Sequence, residues 1–484
     1  MPKKIKYFAG AGVAVIASVF IFASVYSGAV YASDYARSMI IRAFSLYGSP
    51  DATVSVISAA NFKKCIKTFS SLPRGMTHFA GVIFYRAPQN MSVHDFSEQT
   101  IELTEYYRIY EMEQSLAGIN RITGNIINAG ELVIVKDAAP PFVPDNRANR
   151  AAAIPYVRGV YFTGDSAGSS RFLEKLPVLK AAGINAIVFD VKDITGVVHT
   201  GSSVEQVKKF NLNRHGAIDN LPKLIRECRR NGMYVIARIA VFRDHLLYES
   251  DPLCRIKSRS TGGEWNPGER EKWCDPTSSR VQEYNISLAC ELADYGVDEV
   301  QFDYIRFPTV GDQDDAAYAW SSGKMEKTAA VAAFLKNAHQ RLRAKNCFLS
   351  IDIFGVVAWG KNVDIEKTGQ QVDLLAANCD VISPMLYPSH FNNAFDGFAR
   401  PGDNPYHFVM TGCIKVRELA GKGRVIVRPW LQAFAWRVSK YNASYIAEQV
   451  KGSADGGGYG YLFWNASNKY DEVIQGMAMV PAGR

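Results

Sequence analysis

The sequence predicts an α/β protein: a (β/α)8 TIM barrel preceded by a small α+β domain and an N-terminal membrane-spanning helix. Three observations predict it. From residue 156 onward, short apolar strands alternate eight times with amphipathic helical patterns. Glycines stand where those helices must end and the next strand begins. Ahead of both, a long uncharged apolar run follows three lysines.

That run is residues 7–32, "YFAGAGVAVIASVFIFASVYSGAVYA", preceded by Lys3, Lys4 and Lys6 and followed by the next charge at Asp34. It is long enough to cross a bilayer, and positive charge on its leading side keeps the amino terminus in the cytoplasm. A cleaved signal is the alternative, because "VYAS" puts small residues around a cut after Ala32. Either way the bulk of the chain is expected outside the cytoplasm, facing the periplasm or extracellular side, with the membrane as partner if residues 7–32 persist. Residues 33–60 read as a spacer and 61–136 as the small α+β domain. Residues 137–155, "DAAPPFVPDNRANRAAAIP", read as a linker.

The predicted barrel fills residues 156–484. Its strands are 157–162, 184–191, 233–241 and 298–305, then 348–355, 380–387, 424–431 and 458–464. Helical patterns at 169–183 and 217–232 typify the connections, with Gly183, Gly232, Gly296 and Gly423 as helix-ending residues. Nearly continuous apolar strands separated by helices imply a parallel sheet covered on both faces. An open doubly wound sheet is the alternative, but no GxGxxG follows the first strand.

Composition narrows the function. The formal charge is +8 and 48% of side chains are apolar. The basic residues are scattered and not interleaved with aromatics, so no nucleic-acid partner is expected. The eight histidines show neither HxxxH nor HExxH spacing and the eight cysteines no CxxC pair, so neither a metal site nor a cofactor is expected. Cys228, Cys290, Cys347 and Cys379 read as buried thiols, whereas Cys254 and Cys274 share a polar loop and are the best disulfide candidates. The "GDQDD" run at 311–315 reads as a solvated loop rather than a calcium site.

Catalytic groups of a parallel barrel gather at the carboxyl ends of its strands. There the second strand offers Asp190, Lys192 and Asp193, the third Arg238, the fourth Asp303, Tyr304 and Arg306, and the fifth Asp352. The sixth ends in Tyr387, the seventh brings Arg428, Trp430 and Gln432, and the eighth ends in Trp464. Asp298 and Glu299 begin the fourth strand, remote from the mouth, and read as structural ion pairs. Asp303 lies five residues beyond Asp298, roughly 16 Å at strand rise, and reaches the mouth. Alternation puts Gln301, Asp303 and Ile305 on one side and Phe302, Tyr304 and Arg306 on the other.

Asp303 and Asp352, on neighbouring strands, are the candidate catalytic pair. Close carboxyls split their pKa values, one protonated and one ionised, which is what glycosidic cleavage demands. The structural alternative for Asp303 is a buried salt bridge to Arg306 or Arg238; for Asp352 it is a hydrogen-bond acceptor's role. Asp190, Lys192, Arg238, Tyr304, Arg306, Tyr387, Arg428, Trp430, Gln432 and Trp464 are the candidate substrate-binding residues. Trp359 and Trp436, with Tyr387, Trp430 and Trp464, are flat faces suited to sugar rings or to ordinary packing.

"VRGVYFT" (157–163), "INAIVFDVKD…G" (184–196), "ARIAVFRD" (237–244), "WCDP" (273–276), "DEVQFDYIRFP" (298–308) and "SIDIFG" (350–355) resemble the glycosyl hydrolase domain family of exported bacterial proteins, within the TIM-barrel glycosidase superfamily. The resemblance covers nearly the entire barrel. Similarity to alpha-amylase-like enzymes implies a nucleophile at Asp303, whereas their usual acid on the fifth strand is Glu and this chain has Asp352. The chitinase-like pattern fails: Gln301 replaces one of its acids, and Tyr304-Ile305 stands where Trp-Glu would be. Residues 117–135, "AGINRITGNIINAGELVIV", resemble the second half of a LysM glycan-binding module, with one residue missing after Glu131 and Val135 in place of its Pro. A plain packing domain is the other reading.

Two classes of function follow. One is a hydrolase of an envelope or extracellular polysaccharide, with Asp303 as nucleophile or base and Asp352 as acid. The other is a catalytically silent glycan-binding or scaffold barrel. A transglycosylase using the same carboxylates is a variant of the first.

Overall fold

The computed structural model describes residues 76–79, 82–139, 153–319 except 267, 269 and 271, and 326–480 except 422 and 424. The expected membrane segment 7–32 and spacer 33–60 lie outside the described residues, as does most of the linker. Among the described residues no helix is long and apolar enough to cross a membrane. The chain divides into two units between Val143 and Pro144.

In the first unit, strands Met76–Phe79, Val82–Arg86 and Leu132–Val135 form an antiparallel sheet, and Met91–Ser92 pairs with Ile126–Ile127. Helices Val93–Thr100 and Ile109–Asn120 lie between them in sequence. The Ser92 hydroxyl accepts the Asp95 amide at 2.9 Å and so starts the first helix. The second helix is tied to the last strand by one side chain. Asn120 donates to the Ile134 carbonyl at 2.9 Å and accepts the Ile134 amide at 2.8 Å. Phe96, Met112, Leu116, Ile127 and Val133 form the core beneath.

The second unit is an eight-stranded parallel barrel with its strands in sequence order. They are β1 (Val157–Phe162), β2 (Ala186–Lys192), β3 (Tyr234–Ala240), β4 (Glu299–Asp303), β5 (Phe348–Phe354), β6 (Val381–Met385), β7 in two pieces (Ile426–Val427 and Trp430–Gln432) and β8 (Gly460–Trp464). Every residue of β2 and β4 is buried, as a sheet covered on both faces requires. Outward side chains meet helices: the Phe302 ring stacks on Phe334 of helix Lys327–Ala344 at 5.5 Å. Gly183, Gly232 and Gly296 have φ of 86°, 66° and 96°, the left-handed backbone of a helix end. The fourth cap is not Gly423 but Gly421 (φ 71°), because helix Pro405–Ala420 ends earlier than its pattern suggests.

Inside the barrel, below the mouth, polar groups are layered. Glu299 pairs with Arg428, both fully buried, and accepts the Tyr234 hydroxyl at 3.1 Å. Above them Gln301 donates to the Ser383 hydroxyl at 3.3 Å. Asp298 faces the other way, accepting the Val235 amide at 2.8 Å with Arg229 at 3.7 Å.

The seam between β8 and β1 closes the ring, Gly460 opposite Val157. Gly460 has φ 89°, and a Cβ there would lie 2.2 Å from the Val157 carbonyl oxygen. Gly460→Ala is therefore expected to cost about 3 kcal/mol, combining overpacking with left-handed strain. Denaturant melting checks it.

One expectation is corrected here. Cys254 and Cys274 are free thiols, not a disulfide. Both are buried in the loop they share, where the Cys254 amide segment pairs by backbone instead: the Asp275 amide donates to the Cys254 carbonyl at 2.8 Å. Burial pushes the Cys254 thiol up to about 12.

Candidate active site

The site begins where β4 stops. Asp303 is its last residue, and the chain then turns through Tyr304 with φ 54°, a backbone rare for a bulky side chain. The Asp303 carboxylate accepts the Tyr304 amide at 2.5 Å, which holds the turn. This reverses one expectation. Simple alternation separated Tyr304 and Arg306 from Asp303, but the left-handed residue breaks the two-residue period, and all three line one cavity.

Arg238 of β3 organises the acids. Its guanidinium pairs with Asp190 of β2, with Asp303 Oδ2 at 2.5 Å, and lies 3.7 Å from Asp352 Oδ2. Asp190 also accepts the Tyr161 hydroxyl at 2.5 Å. Asp352 Oδ1 accepts the indole N–H of Trp430 at 2.7 Å, while its Oδ2 has no hydrogen-bond partner. Burial, then the neighbouring Asp303, push the Asp352 carboxyl well above the ordinary carboxylate range, against the pull of Arg238. Burial also raises Asp190, opposed first by Arg238.

Asp303 and Asp352 both line a 490 Å³ cavity at the carboxyl end of the barrel, the Asp352 side chain fully buried in its wall. Tyr387, Trp430, Trp464 and Phe391 give it aromatic walls, and Arg238, Tyr304 and Arg306 complete the predicted part of its lining. Trp464 stacks on Tyr161 with ring centres 6.3 Å apart and 29° between planes. So a carboxyl whose pKa is raised, a second carboxylate and flat apolar surfaces share one hollow. The structural alternative for Asp303 is also present, since its salt bridge to Arg238 forms.

Four predicted substrate contacts lie elsewhere. Asp190 sits behind the cavity wall, bound by Arg238 and Tyr161. Lys192 is wholly buried, 2.6 Å from Asp244 and over the Tyr284 ring, because β2 turns that side chain outward to the helix layer. Arg428 lies deep in the barrel with Glu299. Gln432 is buried, accepting the Ser389 amide at 3.1 Å and donating to the Phe434 carbonyl at 2.8 Å. Asp193 bonds its own turn, accepting the Thr195 amide at 2.8 Å. Of the two further tryptophans, Trp359 packs among Phe391, Phe395 and Phe408, and Trp436 is 55% exposed beside His390.

The cavity also includes residues the strand-end rule passed over: Arg243, Phe354, Gly355, Met385 and His390. Arg243 stands inside "ARIAVFRD" and His390 three residues past Tyr387. Loop residues just beyond a strand end were the available signal. Burial, then Arg437, keep His390 below its usual range, hence neutral at pH 7. Among the described residues no cluster of His, Cys, Asp or Glu is arranged to hold a metal, and within the 311–315 run the Asp312 carboxylate accepts the loop's own Asp314 amide at 3.1 Å.

Trp430→Phe removes the donor that favours ionised Asp352. The Asp352 carboxyl is then expected to titrate at higher pH than in the wild type, measured by carbonyl-region infrared difference spectra.

A parallel barrel with paired acids at its mouth is the architecture of a barrel hydrolase. Residues 159–470 match the family described as "Putative glycosyl hydrolase domain", and the chain belongs to it. No curated protein matches. Among solved structures, a hypothetical protein from Ruminiclostridium thermocellum is similar at 30% identity, covering 40% of this chain and 96% of that one, with TM-score 0.36. The PgaB (BpsB) glycoside hydrolase domain from Bordetella bronchiseptica is similar at 15% identity over 64% of this chain and 94% of its own, TM-score 0.46. The spore cortex-lytic enzyme SleL from Bacillus megaterium QM B1551 is similar at 10% identity over 82% and 85%, TM-score 0.40. With TM-scores under 0.5, none of these likenesses bears on the chemistry.

Proposed function

We propose that the barrel hydrolyses glycosidic bonds of an envelope or extracellular polysaccharide, with Asp352 as general acid and Asp303 as nucleophile or base. The observation that carries this is the pair of unlike carboxyls in one aromatic-walled cavity. Asp352, pushed to hold its proton, suits protonation of the leaving oxygen; Asp303 supplies the second carboxylate. Trp430 and Trp464 offer faces for sugar rings, and Arg238 orients Asp303. The uncharged run 7–32 after three lysines supports export, and the 117–135 likeness to a glycan-binding module agrees with a carbohydrate partner.

A second reading has one observation in its favour. Arg238 ties Asp190 and Asp303 together, which a silent binding barrel would also do. Release of reducing ends from a broad glycan panel decides between them. Cleavage by the wild type supports the hydrolase; binding without cleavage of any member supports the silent barrel.

A further inference from the structure

Beyond the acids, the cavity wall continues outward as a line of rings. Trp464 lies against Tyr387 with ring centres 5.8 Å apart, Tyr387 against His390 at 5.2 Å, and His390 against Trp436 at 5.2 Å. Phe434 braces the line, 5.4 Å from Trp464 and 5.7 Å from His390. All are contact distances for aromatic pairs. Exposure grows along the way: Tyr387 is buried, His390 is exposed at the cavity rim, and Trp436 is 55% exposed just past it. Of the described tryptophans only Trp436 is exposed.

A single exposed ring on a slack loop would mean little. This loop is held. The buried Gln432 side chain accepts the Ser389 amide at 3.1 Å and donates to the carbonyls of Phe434 and Trp436 at 2.8 and 3.4 Å. One group thus fixes both the turn that carries His390 and the loop that carries Trp436. Further along, Asp403 accepts the Ser439 amide at 2.7 Å and its hydroxyl at 2.8 Å. The Arg437 guanidinium lies 5.2 Å from the indole centre and donates to Asn393 at 3.1 Å, which steadies the ring's plane.

The chemistry suits a hydroxyl-bearing ring. A flat indole covers apolar C–H surface, while a neutral imidazole both donates and accepts, as a sugar hydroxyl does. The His390 Nδ1 lies 3.3 Å from the Ser389 hydroxyl, and its Nε2 has no hydrogen-bond partner among the described residues.

We propose that Trp436 and His390 form an outer subsite, holding a further sugar ring of the glycan whose scissile bond lies at Asp303 and Asp352. This rests on the hydrolase reading and names its substrate class: oligomeric chains rather than single glycosides.

The test uses the full chain and defined oligosaccharides of two to six units from cellulose, chitin and galactan, followed by cleavage kinetics and by calorimetry. In the series that is cleaved, kcat/KM is expected to rise with length. Trp436→Ala is expected to cut the hexamer-to-dimer ratio of kcat/KM about 5–30-fold, chiefly through KM, the value of part of an aromatic face taken out of water. Trp436→Phe keeps a flat ring and should retain most of the ratio; His390→Ala should lower it. Melting checks that each variant is folded, and the wild-type length dependence stands whether or not they are. Cleavage indifferent to length, or a ratio unchanged in folded Trp436→Ala, would overturn the inference and leave the hydrolase intact. Binding without cleavage that strengthens with length and weakens in Trp436→Ala keeps the subsite and discards hydrolysis. Neither cleavage nor binding of any series discards both.

Discussion

Asp352→Asn is expected to lower kcat for glycan cleavage by about 10²–10⁴-fold, the range for a lost general acid, with the barrel still folded. Asparagine keeps the acceptor for the Trp430 indole but has no transferable proton. Stability carries an independent sign. The folded state raises the Asp352 pKa, so the folded protein holds its proton to higher pH than the unfolded chain. The stabilising contribution is complete below the unfolded value, about 3.9, and is lost as pH rises through the folded value. The variant has no such loss. It should match the wild type in acid and exceed it in alkaline solution, as melting at several pH values would reveal. Asp303→Asn is expected to be equally inactive but less stable, since it leaves Arg238 short of a partner. Equal stability changes in the two variants would contradict the division of roles.

The largest effect on folding is expected at the other end of the barrel. Glu299→Gln strips the buried Arg428 of its counter-charge, with Arg428 Nε and Nη1 already lacking hydrogen-bond partners. Breaking one side of a buried pair costs about 3–5 kcal/mol. The double variant Glu299→Gln with Arg428→Met removes the stranded charge and should recover most of that loss. Chemical denaturation of the two variants measures both. A single variant as stable as the wild type would mean that water reaches this layer.

Much of the barrel is written in local pattern. All eight strands begin within two residues of their expected starts, because apolar runs, helix-ending glycines and a covered sheet agree with one another. The site was legible where strand ends alone decide it: Asp303, Asp352, Arg238, Trp430 and Trp464 reach the cavity. It was illegible where depth decides it. Arg428 and Lys192 occupy strand positions like those of Arg238, yet one points into the barrel floor and the other outward, and each is claimed by an acid distant in sequence. Tyr304 was expected at the mouth and reaches it, but the turn it makes was not legible. Nothing in its neighbours announces φ of 54°, and that one residue decides which way Arg306 faces. Arg243 and His390 lie in loops, where periodicity says nothing.

Infrared difference spectroscopy of wild type against Asp352→Asn at neutral pH is the most direct measurement. A protonated-carboxyl band present in the wild type, absent in the variant and lost only above the ordinary carboxylate range is the predicted result. A band that is missing at pH 7, with Asp352 ionised beside Asp303, would leave the cavity without its proton donor and contradict hydrolysis by this pair.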